Sequence, residues 1–146
     1  METQLEQAQR ILLQRGCTCV VLGHDLEFVS YRRGVAPLLE LIDSGRCCKG
    51  CRAADKVVGK ATALLYCLLG VEAIYAQIVS QAAAKVLARH GIALEYATLV
   101  PHIENRTGTG KCPMESATEH IDDPRAALEA VRQRLNELNS IKTDDI

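Results

Sequence analysis

The chain has no tryptophan, one phenylalanine and four tyrosines among 146 residues. Proteins that hold single-stranded nucleic acid stack its bases on aromatic rings, so this scarcity argues against an RNA-binding module. Charge of one sign is lacking too: 17 Lys and Arg face 18 Asp and Glu, for a net charge of −1. A balanced chain has no bulk attraction to nucleic acid or to an anionic membrane. The longest apolar runs, such as Ala61 to Val71, fall short of the roughly 20 residues a membrane helix needs. The N-terminus METQLEQAQR is polar and carries no signal-peptide core, so a cytoplasmic location is expected.

What is present is ordinary for a globular domain, with 48% hydrophobic and 24% charged residues. The length favours one domain, expected over residues 1–139, with 140–146 as a frayed tail. Seven cysteines are an odd set, which argues against a fully paired disulfide framework and predicts free thiols in a reducing compartment.

Residues 2–15 have helical apolar spacing through Leu5, Ala8, Ile11 and Leu12. Cys17–Leu22 and Leu26–Tyr31 read as strands joined by the turn Gly23-His24-Asp25, a β-hairpin. A short helix follows Gly34-Val35-Ala36-Pro37 and ends at Ser44-Gly45; residues 46–52 read as irregular. The spacing of Val57, Val58, Ala61, Leu64, Leu65 and Leu68 predicts a long helix over about 53–69, stopped by Gly70. Glu72–Val79 reads as a buried strand, Ser80 as the cap of a helix to His90, and Ile92–Val100 as another strand. Two C-terminal helices are expected, at 112–121 and 123–138. This order predicts an α/β fold: a three-layer α/β/α sandwich with a small mixed sheet, an N-terminal β-hairpin and right-handed βαβ crossovers.

The segment Asn105-Arg106-Thr107-Gly108-Thr109-Gly110-Lys111-Cys112-Pro113-Met114-Glu115 concentrates cations, hydroxyls, glycines and a thiol where a loop enters a helix. Helix N-termini carry unpaired N–H groups and partial positive charge, which suits an anion or a thiolate. Pro113 fits the first helical position, with Cys112 at the cap and Glu115 placed as in a capping box. A thiol there would have its pKa lowered by the dipole and by Lys111. A phosphate-binding loop is excluded: G-x-x-x-x-G-K-[ST] needs Gly at 105 and Ser or Thr at 112, where this chain has Asn and Cys.

In the expected helix over 53–69, Lys56 and Lys60 fall one turn apart with Gly59 between them, and Asp55 suits the helix start. Ser80 ends a strand of the sheet, where ligands of α/β proteins usually bind; as an N-cap it serves structure as well. Cys47-Cys48-Lys49-Gly50-Cys51 contains a C-x-x-C. It offers two of the four ligands zinc needs, but no second pair has zinc-motif spacing, so no metal or other cofactor is assigned. Cys17, Cys19 and Cys67 lie in apolar segments and read as small core residues.

Taken together, Ala54-Asp55-Lys56-Val57-Val58-Gly59-Lys60-Ala61, Val79-Ser80 and the segment from Val100-Pro101 through Asn105-Arg106 to Cys112-Pro113-Met114-Glu115 resemble an uncharacterised bacterial family. That family is a domain of unknown function placed by fold in the cytidine deaminase-like superfamily. The resemblance covers about residues 5–121 and implies an N-terminal helix, a hairpin, and helices crossing over to further strands. Zinc-dependent deaminases use H-x-E on one helix and P-C-x-x-C on the next. The corresponding starts here are expected at Ala54-Asp55-Lys56 and Ser80-Gln81-Ala82-Ala83-Ala84, which hold neither motif. The resemblance therefore implies a deaminase-like scaffold without classical deaminase chemistry.

The expected function is binding of a small anionic or nucleotide-like ligand in a pocket on that scaffold, lined by Asp55, Lys56, Lys60, Ser80, Asn105, Arg106, Cys112 and Glu115, with Lys56, Lys60, Ser80, Asn105 and Arg106 holding the ligand. If the protein is an enzyme, Cys112 is the candidate nucleophile and Asp55 or Glu115 the proton carrier. A non-catalytic regulatory or binding module acting as a homodimer is the second expectation. A thiol or metal protein built on Cys47–Cys51 is the third.

Overall fold

Thr3 starts the first helix with its own hydroxyl, which accepts from the Glu6 N–H at 3.1 Å. This is the T-x-x-E signature of an N-terminus. In the structure, a computed structural model that describes residues 1–104, 110 and 112–144, that helix is α1, Gln4–Arg15. The hairpin follows as β1 (Cys19–Leu22) and β2 (Glu27–Ser30), antiparallel, with Cys19 opposite Ser30 and Leu22 opposite Glu27. Then come α2 (Ala36–Ser44), β3 (Arg52–Val58), α3 (Lys60–Leu69), β4 (Ala73–Ser80), α4 (Gln81–Arg89), β5 (Ala93–Val100), α5 (Pro113–Thr118) and α6 (Pro124–Asp144).

The fold is mixed α/β, with six helices among the described residues and one open sheet in the order β2-β1-β3-β4-β5. β1 runs antiparallel to both β2 and β3, whereas β3, β4 and β5 are parallel. Each parallel pair is joined through a helix, as parallel strands require. Two apolar clusters line the sheet. On one side Ala8, Ile11 and Leu12 of α1 pack on Val20, Leu22, Ala54 and Tyr75. The larger cluster brings Leu38 and Leu41 of α2, Leu64 and Leu65 of α3, Val86 and Leu87 of α4, and Val131 of α6 together with Val21, Ala53, Ile74 and Ala76.

One expected element is corrected. Residues 52–58 are a strand, and the helix begins only at Lys60. Ala53 and Ala54 are fully buried in the two different apolar clusters, because β3 lies in the middle of the sheet with helices over both faces. Such a strand has no alternation of polar and apolar residues, so its short apolar run cannot be told from a helix by periodicity. Gly59 is thus not a mid-helix glycine. It is the N-cap of α3, in extended backbone at φ −92°, ψ −178°. The final helix also reaches beyond the residue 138 expected for it.

Candidate functional site

The carboxyl ends of β3, β4 and β5 lie at one end of the sheet and present Gly59, Ser80 and Val100 there. Ligand crevices in open α/β sheets arise where successive crossovers leave for opposite faces. Here α3 and α4 both pack into the same apolar cluster, so the crossovers of β3, β4 and β5 stay on one face of the sheet. Ser80 is fully buried and its hydroxyl accepts from the Ala83 N–H at 3.1 Å, the expected cap of α4.

The start of α3 is built differently. Gly59 has no side chain to cap it. The carboxylate of Glu115 on α5 does so instead, with Oε1 accepting from the Lys60 N–H at 3.2 Å. A Cβ on Gly59 would lie 2.6 Å from that oxygen and 3.2 Å from Ile103 Cγ1. The glycine therefore makes room for the carboxylate, and the carboxylate meets the partial positive charge of the helix start. The capping box expected within α5 is not formed: the Cys112 N–H donates to Ile103 O at 2.9 Å, and Cys112 caps α5 without a side-chain bond. Pro113 does occupy the first turn.

Lys60 is held at both ends. Its Nζ donates to Glu119 O at 3.0 Å and pairs with Asp122 Oδ1 at 3.2 Å. The Arg89 guanidinium approaches the same Asp122 oxygen at 3.7 Å. Around this node lies a groove of about 370 Å3 lined by Lys60, Lys85, Val86, Arg89, Glu119, His120 and Asp122. Lys85 and Arg89 are four residues apart on α4, so they share a face. That spacing was the available signal for two residues the motif reading passed over.

Asp55 stands elsewhere. It is buried among core side chains, opposite Cys19 on β1 and Ala76 on β4. Tyr66 Oη donates to Asp55 Oδ2 at 2.7 Å, and the Val57 N–H donates to Oδ1 at 3.3 Å. Cys19 Sγ lies 3.3 Å from Tyr66 Oη; with the phenol proton directed at the carboxylate, the thiol is the donor in that contact. Burial raises the Asp55 carboxyl from its ordinary value near 3.8 to about 7, against the lowering effect of these hydrogen bonds. The same burial pushes Tyr66 and Cys19 well above their usual values.

Lys56 follows Asp55 on a strand, so the two side chains leave opposite faces of the sheet. Its charge acts on Cys17, in the cluster under α1. Of the residues expected to meet in one pocket, the structure joins Lys60 and Glu115, holds Ser80 buried at the neighbouring strand end, and places Asp55 and Lys56 earlier on β3. Asn105 and Arg106 lie outside the described residues.

All seven cysteines are free thiols. Cys47 is exposed, whereas Cys48 and Cys51 are buried, and burial together with the neighbouring thiols pushes Cys48 up to about 11. Among the described residues no group of three or more His, Cys, Asp or Glu is disposed to hold a metal ion. No described helix is long and apolar enough to cross a membrane.

The family model described as TM1506, a domain of unknown function (DUF1893), matches residues 7–135. A solved structure, a DUF1893 family protein (TM1506) from Thermotoga maritima, is similar in fold with a TM-score of 0.84. It is 25% identical to this chain and the match covers 92% of this chain and 91% of that one. No curated protein matches.

Proposed function

This chain belongs to the TM1506 family, a domain of unknown function (DUF1893), and from that premise we propose that it is a non-catalytic module binding a small anionic ligand. The observation that carries this reading is the Lys60 node. Its side chain lines the groove between α4 and the α5–α6 turn together with Lys85, Arg89 and His120. Asp122 bridges Lys60 and Arg89 in the manner of a bound anion. Its side chain is 69% exposed, so it can yield its place to a phosphate or carboxylate that the same cations would hold. A nucleotide or a phosphorylated metabolite is the ligand class that fits such a cluster.

The candidate catalytic groups support binding over turnover. Asp55 is enclosed with Tyr66 and Cys19, and Glu115 is engaged as the cap of α3. The reading includes a cytidine deaminase-like scaffold, supported by the element order of helix, hairpin and crossover helices, with the zinc motifs absent from the sequence. It also includes a cytoplasmic setting, supported by the odd set of seven cysteines, and a bacterial source, supported by the Thermotoga maritima relative.

Thermal-shift screening of the full chain against nucleotides and phosphorylated metabolites tests the proposal. A stabilising compound should be found, and Lys85→Ala and Arg89→Ala should each weaken its binding by roughly tenfold, as expected for loss of a charge-assisted hydrogen bond. No stabilising compound, or one whose affinity is indifferent to both substitutions, overturns it.

A further inference from the structure

The two edges of the sheet are built to opposite plans. β2 is a four-residue edge that begins with exposed Glu27 and is followed by Arg32 and Arg33, so it is short and flanked by charge. β5 is an eight-residue edge, Ala-Leu-Glu-Tyr-Ala-Thr-Leu-Val, with six exposed positions and one charge, Glu95. Tyr96 is 48% exposed and Leu99 42%. The apolar surface continues inward along the register row Val57–Ile78–Thr98, where Val57 and Ile78 are also exposed. Among the described residues β5 pairs only with β4. A long apolar edge without Lys, Pro or a bulge is a template for another strand, and natural proteins leave one open where it is used.

We infer that β5 pairs antiparallel with β5 of a second copy about a two-fold axis, joining two five-stranded sheets into one. The sequence of the strand selects that occupant. An axis perpendicular to the sheet keeps each side chain on its own face, so only residues of equal parity can stand opposite each other. Of the registers that use nearly the whole strand, one centred on Tyr96 places the two tyrosines together. It sets Glu95 against Ala97 of the partner subunit, and Leu94 against Thr98 of the partner subunit. A register centred on Ala97 would bury Glu95 against Leu99 of the partner subunit, and one centred on Glu95 would oppose two carboxylates. The Tyr96 register alone gives an aromatic cross-strand pair while keeping the charge beside a small residue.

Sedimentation equilibrium of the full chain, with two charge variants at exposed Ala97, tests this. The wild-type chain should sediment as a dimer of the 15.9 kDa chain. Ala97→Glu creates two symmetry-related like-charge pairs with Glu95 and should weaken the dimer by roughly tenfold. Ala97→Lys creates two opposite-charge pairs and should tighten it, and Glu95→Lys with Ala97→Glu, which forms the same pairs in reverse, should tighten it likewise. Circular dichroism confirms that each variant is folded. A monomeric wild-type chain, or a dimer that responds alike to Ala97→Glu and Ala97→Lys, overturns the inference.

Discussion

Glu115 Oε1 occupies the space that a Cβ on Gly59 would enter, 2.6 Å away. The two residues form one device: the glycine vacates the N-cap of α3, and the carboxylate fills it from α5, accepting from the Lys60 N–H. Through it the C-terminal helices are tied to the end of β3, and Lys60 is set at the edge of the groove.

The device predicts a particular pattern of coupling. Gly59→Ala should destabilise the protein by about 1–3 kcal/mol through overpacking, since its backbone conformation is open to any residue. Glu115→Ala should cost about 1 kcal/mol for the lost cap. The double variant should be more stable than the sum of these, because the carboxylate that the new methyl strikes is gone. Urea unfolding of all four proteins measures it; strictly additive losses would show that the contact is not the reason for the glycine.

Asp55 predicts a pH dependence. The unfolded chain releases this proton near its ordinary value of 3.8, the folded protein near 7. Between those values the folded state holds the extra proton, so Asp55 makes stability fall as pH rises through about 4 to 7 and adds no slope above that window. Asp55→Asn keeps an acceptor for the Tyr66 hydroxyl and removes the titration. The stability of the wild type relative to Asp55→Asn should drop across the window by an amount on the order of a few kcal/mol. Urea midpoints from pH 4 to 8 follow the difference; parallel curves would count against a raised carboxyl.

Thiol accessibility predicts an order of modification. Cys47 is exposed, Cys67 and Cys112 are half-buried, and Cys17, Cys19, Cys48 and Cys51 are buried. Iodoacetamide on the native protein at neutral pH should label Cys47 first. The four buried thiols should react only on unfolding, since modification needs an accessible thiolate. Peptide mass spectrometry over time reads the order. Early labelling of Cys112 ahead of Cys47 would instead mark an activated nucleophile and favour an enzyme.

Much of the fold was legible because the signals are local. Thr3 and Glu6 mark the start of α1, Ser80 that of α4, and the polar turn after Leu22 marks the hairpin, each within a few residues of the structure it directs. β3 was misread because a strand covered on both faces loses the alternation that identifies strands. Its neighbours Val57 and Val58 then fell into step with the true helix that follows. The site was legible by residue and not by arrangement. Lys60 and Glu115 stood out as chemistry, yet their bond spans 55 positions, and Lys85 and Arg89 looked like ordinary solvated charges.

The sequence by itself determined the element order apart from β3, the caps of α1 and α4, the absence of the deaminase zinc motifs and of a phosphate-binding loop, and the sparing use of aromatic residues. All of these reside in residue type and short-range spacing. Only the tertiary structure decided that Asp55 is sealed beneath Tyr66 while Lys56 turns to the other face, and that Glu115 caps a helix not its own. It also left β5 as the long edge of the sheet among the described residues. Those outcomes depend on which strands become neighbours and which helices cover them, and that is settled by the burial of apolar surface over the whole chain.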